Sequence, residues 1–187
     1  MADQGTEGLL SPFLRQQRIS AALPYVKGRV LDIGCGSGAL AEHVDRHNYV
    51  GIDIDSTSIA AARNNYPSHD FRLASQIENE RYDTIIALAV IEHVSDPAAF
   101  LATLKKNLHQ TPDARIICTT PHPSMDWIHW VGSRVGLFSQ SANDEHEELL
   151  GRQKLEAVGA AAELKVMAYH RFLFGANQIV SYSHNKP

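Results

Sequence analysis

Cysteine is scarce in this chain, with two among 187 residues. Cys35 falls in a glycine-rich turn and Cys118 in an apolar run expected as a central strand. Reduced thiols are therefore expected, as in a cytoplasm, rather than a disulfide framework. An excess of basic charge is also missing. Lys and Arg total 17 against 21 Asp and Glu, a formal net charge of −4. That balance gives no electrostatic basis for holding a polyphosphate backbone and argues against nucleic acid as a partner. No apolar run approaches the length needed to span a bilayer, and Met1–Gly5 carries no basic and apolar leader pattern. A cytoplasmic location without a transmembrane segment is expected. Internal repeats and low-complexity tracts are absent too. What remains has one-domain length, enough to bury a core without metals or disulfides, so residues 1–187 are expected to form a single domain.

Glycine, by contrast, is concentrated where it carries information. Residues 30–38 read Val-Leu-Asp-Ile-Gly-Cys-Gly-Ser-Gly, and a second apolar run, Tyr49-Val50-Gly51-Ile52, closes on Asp53. A strand ending in Gly34-x-Gly36-x-Gly38, followed by a strand ending in a carboxylate, is a nucleoside-binding arrangement. The glycines let backbone N–H groups come within hydrogen-bonding distance of a ligand. Asp53, with Ile54 beside it, offers two acceptor oxygens to a pair of ribose hydroxyls. The competing roles are a bend with no ligand, and for Asp53 a helix cap, for which Asp55 and Ser56 are better placed. Gly34-x-Gly36-x-x-Ala39 also satisfies the relaxed dinucleotide pattern, so the glycines alone leave a nicotinamide cofactor open. Asp32 bears on that choice: an anion there suits the positively charged methionine portion of S-adenosylmethionine (SAM) and gives nothing to a pyrophosphate.

Periodicity and breakers order the rest of the chain. An opening helix is expected at Pro12–Leu23, ended by Pro24, and strands at Arg29–Ile33, His47–Asp53, Asp70–Leu73, Tyr82–Ala89, Ala114–Thr119, Glu163–His170 and Asn177–Tyr182. Helices are expected at Ala39–Asp45, Ser56–Asn64, Pro97–Leu108 and Glu147–Val158. Only Ala74–Arg81 separates strands three and four, which predicts a helix reduced to a turn. Arg171–Ala176 is hairpin-sized, which predicts that the last two strands run antiparallel.

Together the glycine turn, Asp53 and the segment Tyr82–Val94, with its Glu92-His93-Val94 turn, resemble the class I SAM-dependent methyltransferases, in particular the group that includes the ubiquinone-biosynthesis O-methyltransferases. The resemblance runs from about Leu9 to Tyr182. It implies an α/β fold with a Rossmann-like, seven-stranded, mostly parallel sheet whose last strand is antiparallel, with helices on both faces. It implies SAM as cofactor, S-adenosylhomocysteine as product, and a small-molecule acceptor methylated at O, N or C. Residues 9–24 would be an N-terminal helix from which Arg15, or in reserve Arg18, meets the SAM carboxylate. Cofactor-binding residues would be Arg15, Asp32, Gly34, Cys35, Gly36, Gly38, Asp53, Ile54, Ser75, Gln76, Leu88 and Ala89. Relatives often carry an acid after strand three to meet the adenine amino group. Here that place reads Leu73-Ala74-Ser75-Gln76, leaving Ser75, Gln76 and backbone groups to read the base. Leu88 and Ala89 would line the methionine portion, or simply pack in the core.

Methyl transfer needs alignment more than a metal, and a base only where the acceptor holds a proton of high pKa. His93, His122 and His146 are the candidates, each weighed against an ordinary structural or surface histidine. A zinc site from His122, His129 and His146 has poor ligand spacing. Thr120-Pro121-His122-Pro123 lacks the polar-Pro-Pro-aromatic grip with which amino-methylating nucleic-acid enzymes hold a flipped base. Residues 122–146 hold both tryptophans and are expected to form an apolar lid over the acceptor. Such a lid is compatible with transient membrane contact. Two other functions remain open: a SAM-binding protein without transferase activity, and an NAD(P)-dependent oxidoreductase, for which a Tyr-x-x-x-Lys pair is not found.

Overall fold

A computed structural model describes residues 11–76, 80–125 and 150–185. Seven strands form one sheet: β1 Val30–Ile33, β2 Tyr49–Asp53, β3 Asp70–Leu73, β4 Thr84–Leu88, β5 Arg115–Pro121, β6 Leu164–Phe172 and β7 Asn177–His184. Their order across the sheet is β3-β2-β1-β4-β5-β7-β6. β1 to β5 pair in parallel, whereas β7 lies antiparallel between β5 and β6. The expected antiparallel last strand is therefore present, inserted one place in from the edge.

Alternation along the strands sorts side chains onto two faces. Leu31, Ile33, Ile85, Ile116 and Tyr182 join Leu101 and Leu104 of helix α3 (Pro97–Lys106) and Leu155 of helix α4 (Arg152–Ala161) in one core. Val30, Tyr49, Phe71, Ile86 and Ile117 join Ile19 of α1 (Ser11–Ala22) and Ile59 of α2 (Ser56–Asn65) in the other. All four residues of β1 are buried, as expected for a parallel strand covered on both sides.

Local chemistry sets the helix ends. Asp55, not Ser56, caps α2, its carboxylate accepting from the N–H groups of Thr57 and Ser58 at 3.0 Å each. Asp96 caps α3 through the Ala99 N–H at 2.9 Å, with Pro97 following it and Lys105 and Lys106 in the last turn. The stretch after the glycine turn is a 3-10 helix, Ala39–His43, rather than the longer helix expected. Between β3 and β4 the described residues make only the short 3-10 turn Ala74–Gln76, as the spacing predicts. β2 starts at Tyr49 because Asp45 closes a turn first. Its side chain accepts from the His47 N–H at 2.8 Å and its carbonyl from the Asn48 N–H at 2.9 Å. α4 starts at Arg152 behind Gly151, later than the acidic run at 144–148 suggests; that run lies outside the described residues.

Candidate active site

The sheet order reverses between β1 and β4, and in an open α/β sheet ligands bind outside the carboxyl ends of strands at such a point. The turn leaving β1 is folded there. Gly34, Gly36 and Gly38 have φ of 67°, 54° and 86°, in the left-handed region that suits glycine. The N–H groups of Gly34 and Cys35 donate to the Ile52 carbonyl at 2.8 and 3.0 Å, tying the turn to β2. The three glycines do different work. A Cβ on Gly34 would meet Val90 at 2.7 Å and one on Gly38 would meet Phe71 at 2.8 Å, whereas one on Gly36 would meet nothing within 4 Å. Gly38 thus serves packing, and Gly36 faces open space.

Asp53 does more than wait for a ligand. Its Oδ2 accepts from the Gly36 N–H and its Oδ1 from the Asp55 N–H, each at 2.9 Å, so it holds the turn and the start of α2 together. A carboxylate has lone pairs to spare for ribose hydroxyls after both bonds. Asp32, 3% exposed, accepts a hydrogen bond from the Tyr49 hydroxyl at 2.7 Å. Burial pushes its carboxyl up to about 7; the Tyr49 bond opposes the rise and the Asp53 charge adds to it.

A cleft of about 230 Å³ opens over this turn. It brings together Arg15, Asp32, Gly34, Cys35, Gly36 and Leu88 of the expected cofactor set, and adds Arg18. Arg18 Nε donates to Asn177 Oδ1 at 3.2 Å, which fixes the guanidinium against β7. Burial lowers its pKa, while the charge of Glu92 raises it. Asp53 and the 90% exposed Ile54 sit at the end of β2 beside the turn. Ser75 and Gln76 are exposed after β3, where Gln76 Oε1 accepts from the Leu73 N–H at 3.1 Å. Ala89, with φ of 55°, donates its N–H to Thr119 and so carries the chain from β4 toward β5.

Of the three histidines, His93 is exposed in the 3-10 turn Ile91–His93, and His122 lies just after β5. His146, like residues 126–146 of the expected lid and both tryptophans, falls outside the described residues, as does His129 of the weighed zinc set. The residue that sequence reasoning passed over is Glu92. Its Oε2 is buried without a hydrogen-bond partner among the described residues. Burial holds its carboxyl above the ordinary range, opposed by its own backbone N–H, by His93 and Arg18, and by the hydroxyl of Thr120, itself buried. The signal was the Glu92-His93 pair itself, read for its histidine. A larger cleft, about 840 Å³, lies at the opposite end of the sheet between the start of β6 and the end of β7. It has no glycine turn and no switch point, so the smaller cleft is the candidate site.

Residues 9–169 match the family described as a methyltransferase domain. The chain belongs to that family. It is 33% identical over 132 residues to a ubiquinone biosynthesis O-methyltransferase of Cereibacter sphaeroides, covering 63% of this chain and 50% of that one. A protein of the same description from Rhodopseudomonas palustris is 40% identical over 96 residues, covering 46% and 38%. The chain therefore spans half or less of the length of these relatives. Among solved structures, magnesium protoporphyrin IX methyltransferase of Synechocystis with bound S-adenosylhomocysteine superposes with a TM-score of 0.70 at 16% identity, over 96% of this chain and 89% of that one. A SAM-dependent methyltransferase of Clostridium acetobutylicum gives 0.66 at 14% identity, over 92% of each. The fold is that of the class I methyltransferases.

Proposed function

We propose that this methyltransferase-family chain moves a methyl group from SAM to an O, N or C nucleophile of a small, partly apolar molecule and releases S-adenosylhomocysteine. The observation that carries the reading is the cleft at the β1–β4 switch point, where Gly36 leaves space that any side chain would fill. The donors present fit this cofactor. Asp32 supplies an anion at the wall, Arg18 a fixed cation for a carboxylate with Arg15 beside it, and Asp53 the spare lone pairs for ribose hydroxyls. Leu88 gives an apolar wall. When bound, SAM supplies a methyl on a positively charged sulfur, with a neutral thioether as leaving group.

The chain's own contribution is alignment and the control of one proton. Glu92 Oε2, buried and without a close hydrogen-bond partner among the described residues, with the Thr120 hydroxyl near it, is suited to accept a hydrogen from an acceptor group at the ends of β4 and β5. Its pKa, raised by burial, makes it a better base than an exposed carboxylate. The free, buried thiols of Cys35 and Cys118 are compatible with a reducing, cytoplasmic setting. No helix among the described residues is long and apolar enough to cross a membrane.

Calorimetric titration with SAM, S-adenosylhomocysteine and NAD tests the cofactor. Binding of the first two and not the third is expected, and NAD binding alone would overturn the reading. Turnover of a panel of phenols and amines then tests the transfer against a protein that only binds SAM.

A further inference from the structure

His122 emerges from β5 at the same sheet edge as Asn177, the residue that fixes Arg18. Pro121 pairs with Asn177 across β5 and β7, and the His122 N–H donates to the Ala176 carbonyl at 2.9 Å. The ring is held from one side. Its Nδ1 lies 3.1 Å from the Ser124 backbone nitrogen and 2.8 Å from Ser124 Oγ. A backbone N–H can only donate, so Nδ1 must be the unprotonated, accepting nitrogen. The serine hydroxyl agrees, because Arg171 Nη2 donates to Ser124 Oγ at 2.7 Å and leaves the hydroxyl hydrogen free to point at Nδ1. Arg171 is itself braced, its Nε donating to the Gly175 carbonyl at 3.0 Å. Pro123 fixes one backbone dihedral of the Pro123–Met125 turn that presents the Ser124 N–H.

The consequence is a locked tautomer. With Nδ1 occupied as acceptor, the single proton of neutral imidazole resides on Nε2, on the other edge of the ring. Taking up a second proton would set an Nδ1–H against the Ser124 N–H. Burial, and then the positive charge of Arg171, also disfavour the imidazolium. A neutral histidine already protonated on Nε2 has no lone pair there with which to accept a proton from a substrate.

We infer that His122 serves the acceptor end of the site as a fixed hydrogen-bond donor through Nε2–H, orienting an oxygen or nitrogen lone pair of the acceptor molecule, and not as a general base. The inference rests on the methyl-transfer reading for the position of the acceptor. It gives His122, one of the three histidines weighed as base candidates, a different part from proton removal, and it leaves that task to Glu92. A molecule suited to both residues carries a hydrogen-bond acceptor close to the group that is methylated.

Two measurements test it on the full chain. In ¹⁵N-histidine-labelled protein, with His122 assigned by its loss in His122→Gln, long-range ¹H–¹⁵N spectra should show the Nε2-protonated tautomer at neutral pH. Its titration should fall below the ordinary histidine range and move back toward it in Arg171→Ala. An Nδ1-protonated ring, or titration above the ordinary range, would overturn the inference without touching the cofactor reading. With SAM and a phenol that the wild type turns over, His122→Ala should raise the acceptor KM about 2- to 12-fold, the equivalent of one neutral hydrogen bond. His122→Gln, whose side-chain amide still donates, should recover part of that loss, and the pH profile of kcat should stay as in wild type. Loss of a pH limb in His122→Ala would restore the base role and overturn the proposal. An unchanged KM beside the expected tautomer would also overturn the acceptor contact, while wild-type turnover would leave methyl transfer standing.

Discussion

Asp32 and Asp53, both beneath or beside the glycine turn, are carboxylates with opposite surroundings. Asp53 accepts two backbone N–H bonds, whereas Asp32 is buried with one phenolic donor. Because the folded pKa of Asp32 is raised to about 7, the native state without ligand holds a proton that the unfolded chain releases near 4. The native state thus binds more protons between those values, and stability should fall as pH rises from about 4 to about 7, by at most about 1.4 kcal/mol per unit from this group. Denaturant unfolding at pH 5 and pH 7.5 checks the sign, and Asp32→Asn should flatten the slope. Cofactor affinity should move the other way, rising through pH 7 as the anion that suits a cationic sulfur forms. Asp53→Ala should weaken S-adenosylhomocysteine binding about 10- to 150-fold, the equivalent of one charge-assisted hydrogen bond. It should also cost some stability, because the same carboxylate holds Gly36. Equal affinities for mutant and wild type by calorimetry would remove Asp53 from the site.

At the scale of elements, the turn after β1 separates binding from packing within three glycines. Gly36→Ala has room for its Cβ but must hold φ near 54°, so it should cost about 1–2 kcal/mol of stability and reduce cofactor affinity. Gly36→Val should abolish binding while the fold survives. Gly38→Ala faces the same backbone strain and also drives into Phe71, so the larger loss should appear in its melting temperature. A Gly38 variant less stable than its Gly36 counterpart, but still able to bind, is the expected pattern. The strand β7 offers a second case. Gln178 is fully buried, donating to the carbonyls of Pro121 at 3.0 Å and Leu150 at 2.5 Å and accepting from Tyr169 at 2.9 Å. It fastens the end of β5, the chain's return at Leu150 and β6 at one point. Gln178→Ala would strand those groups, and a loss of about 2–3 kcal/mol in chemical unfolding is expected.

Taken as a whole molecule, the fold was legible wherever local pattern decides structure. The apolar runs placed the strands β1 to β5, the hairpin-sized link before Asn177 predicted an antiparallel last pair, the resemblance to class I methyltransferases implied the mostly parallel sheet, and Asp53 was separable from the cap Asp55. What sequence could not supply was tertiary. That β7 slips between β5 and β6 depends on which edge is left after five parallel strands pair, and no residue of Asn177–His184 states it. Glu92 enters the sequence reading only as part of the Glu92-His93-Val94 turn, and its burial is a product of the fold. His122 stands in the sequence as a base candidate or an ordinary surface histidine, and the contact of its Nδ1 with Ser124 is visible only in the fold. Arg18 reads as a reserve to Arg15 until Asn177, 159 residues away, takes hold of its Nε. This last contact makes a prediction at the scale of the whole chain, since it joins the opening helix, whose Arg18 lines the cleft, to the inserted strand. Asn177→Ala leaves the glycine turn untouched but frees the guanidinium, so S-adenosylhomocysteine affinity should fall about 2- to 12-fold, the equivalent of about 0.5–1.5 kcal/mol lost in positioning the cation. In the wild type, hydrogen exchange should slow on binding at both distant ends, in α1 around Arg18 and in β7 around Asn177, together with the turn at Gly34–Gly38. Protection confined to the turn would mean that Arg18 holds the sheet together and takes no part in the ligand.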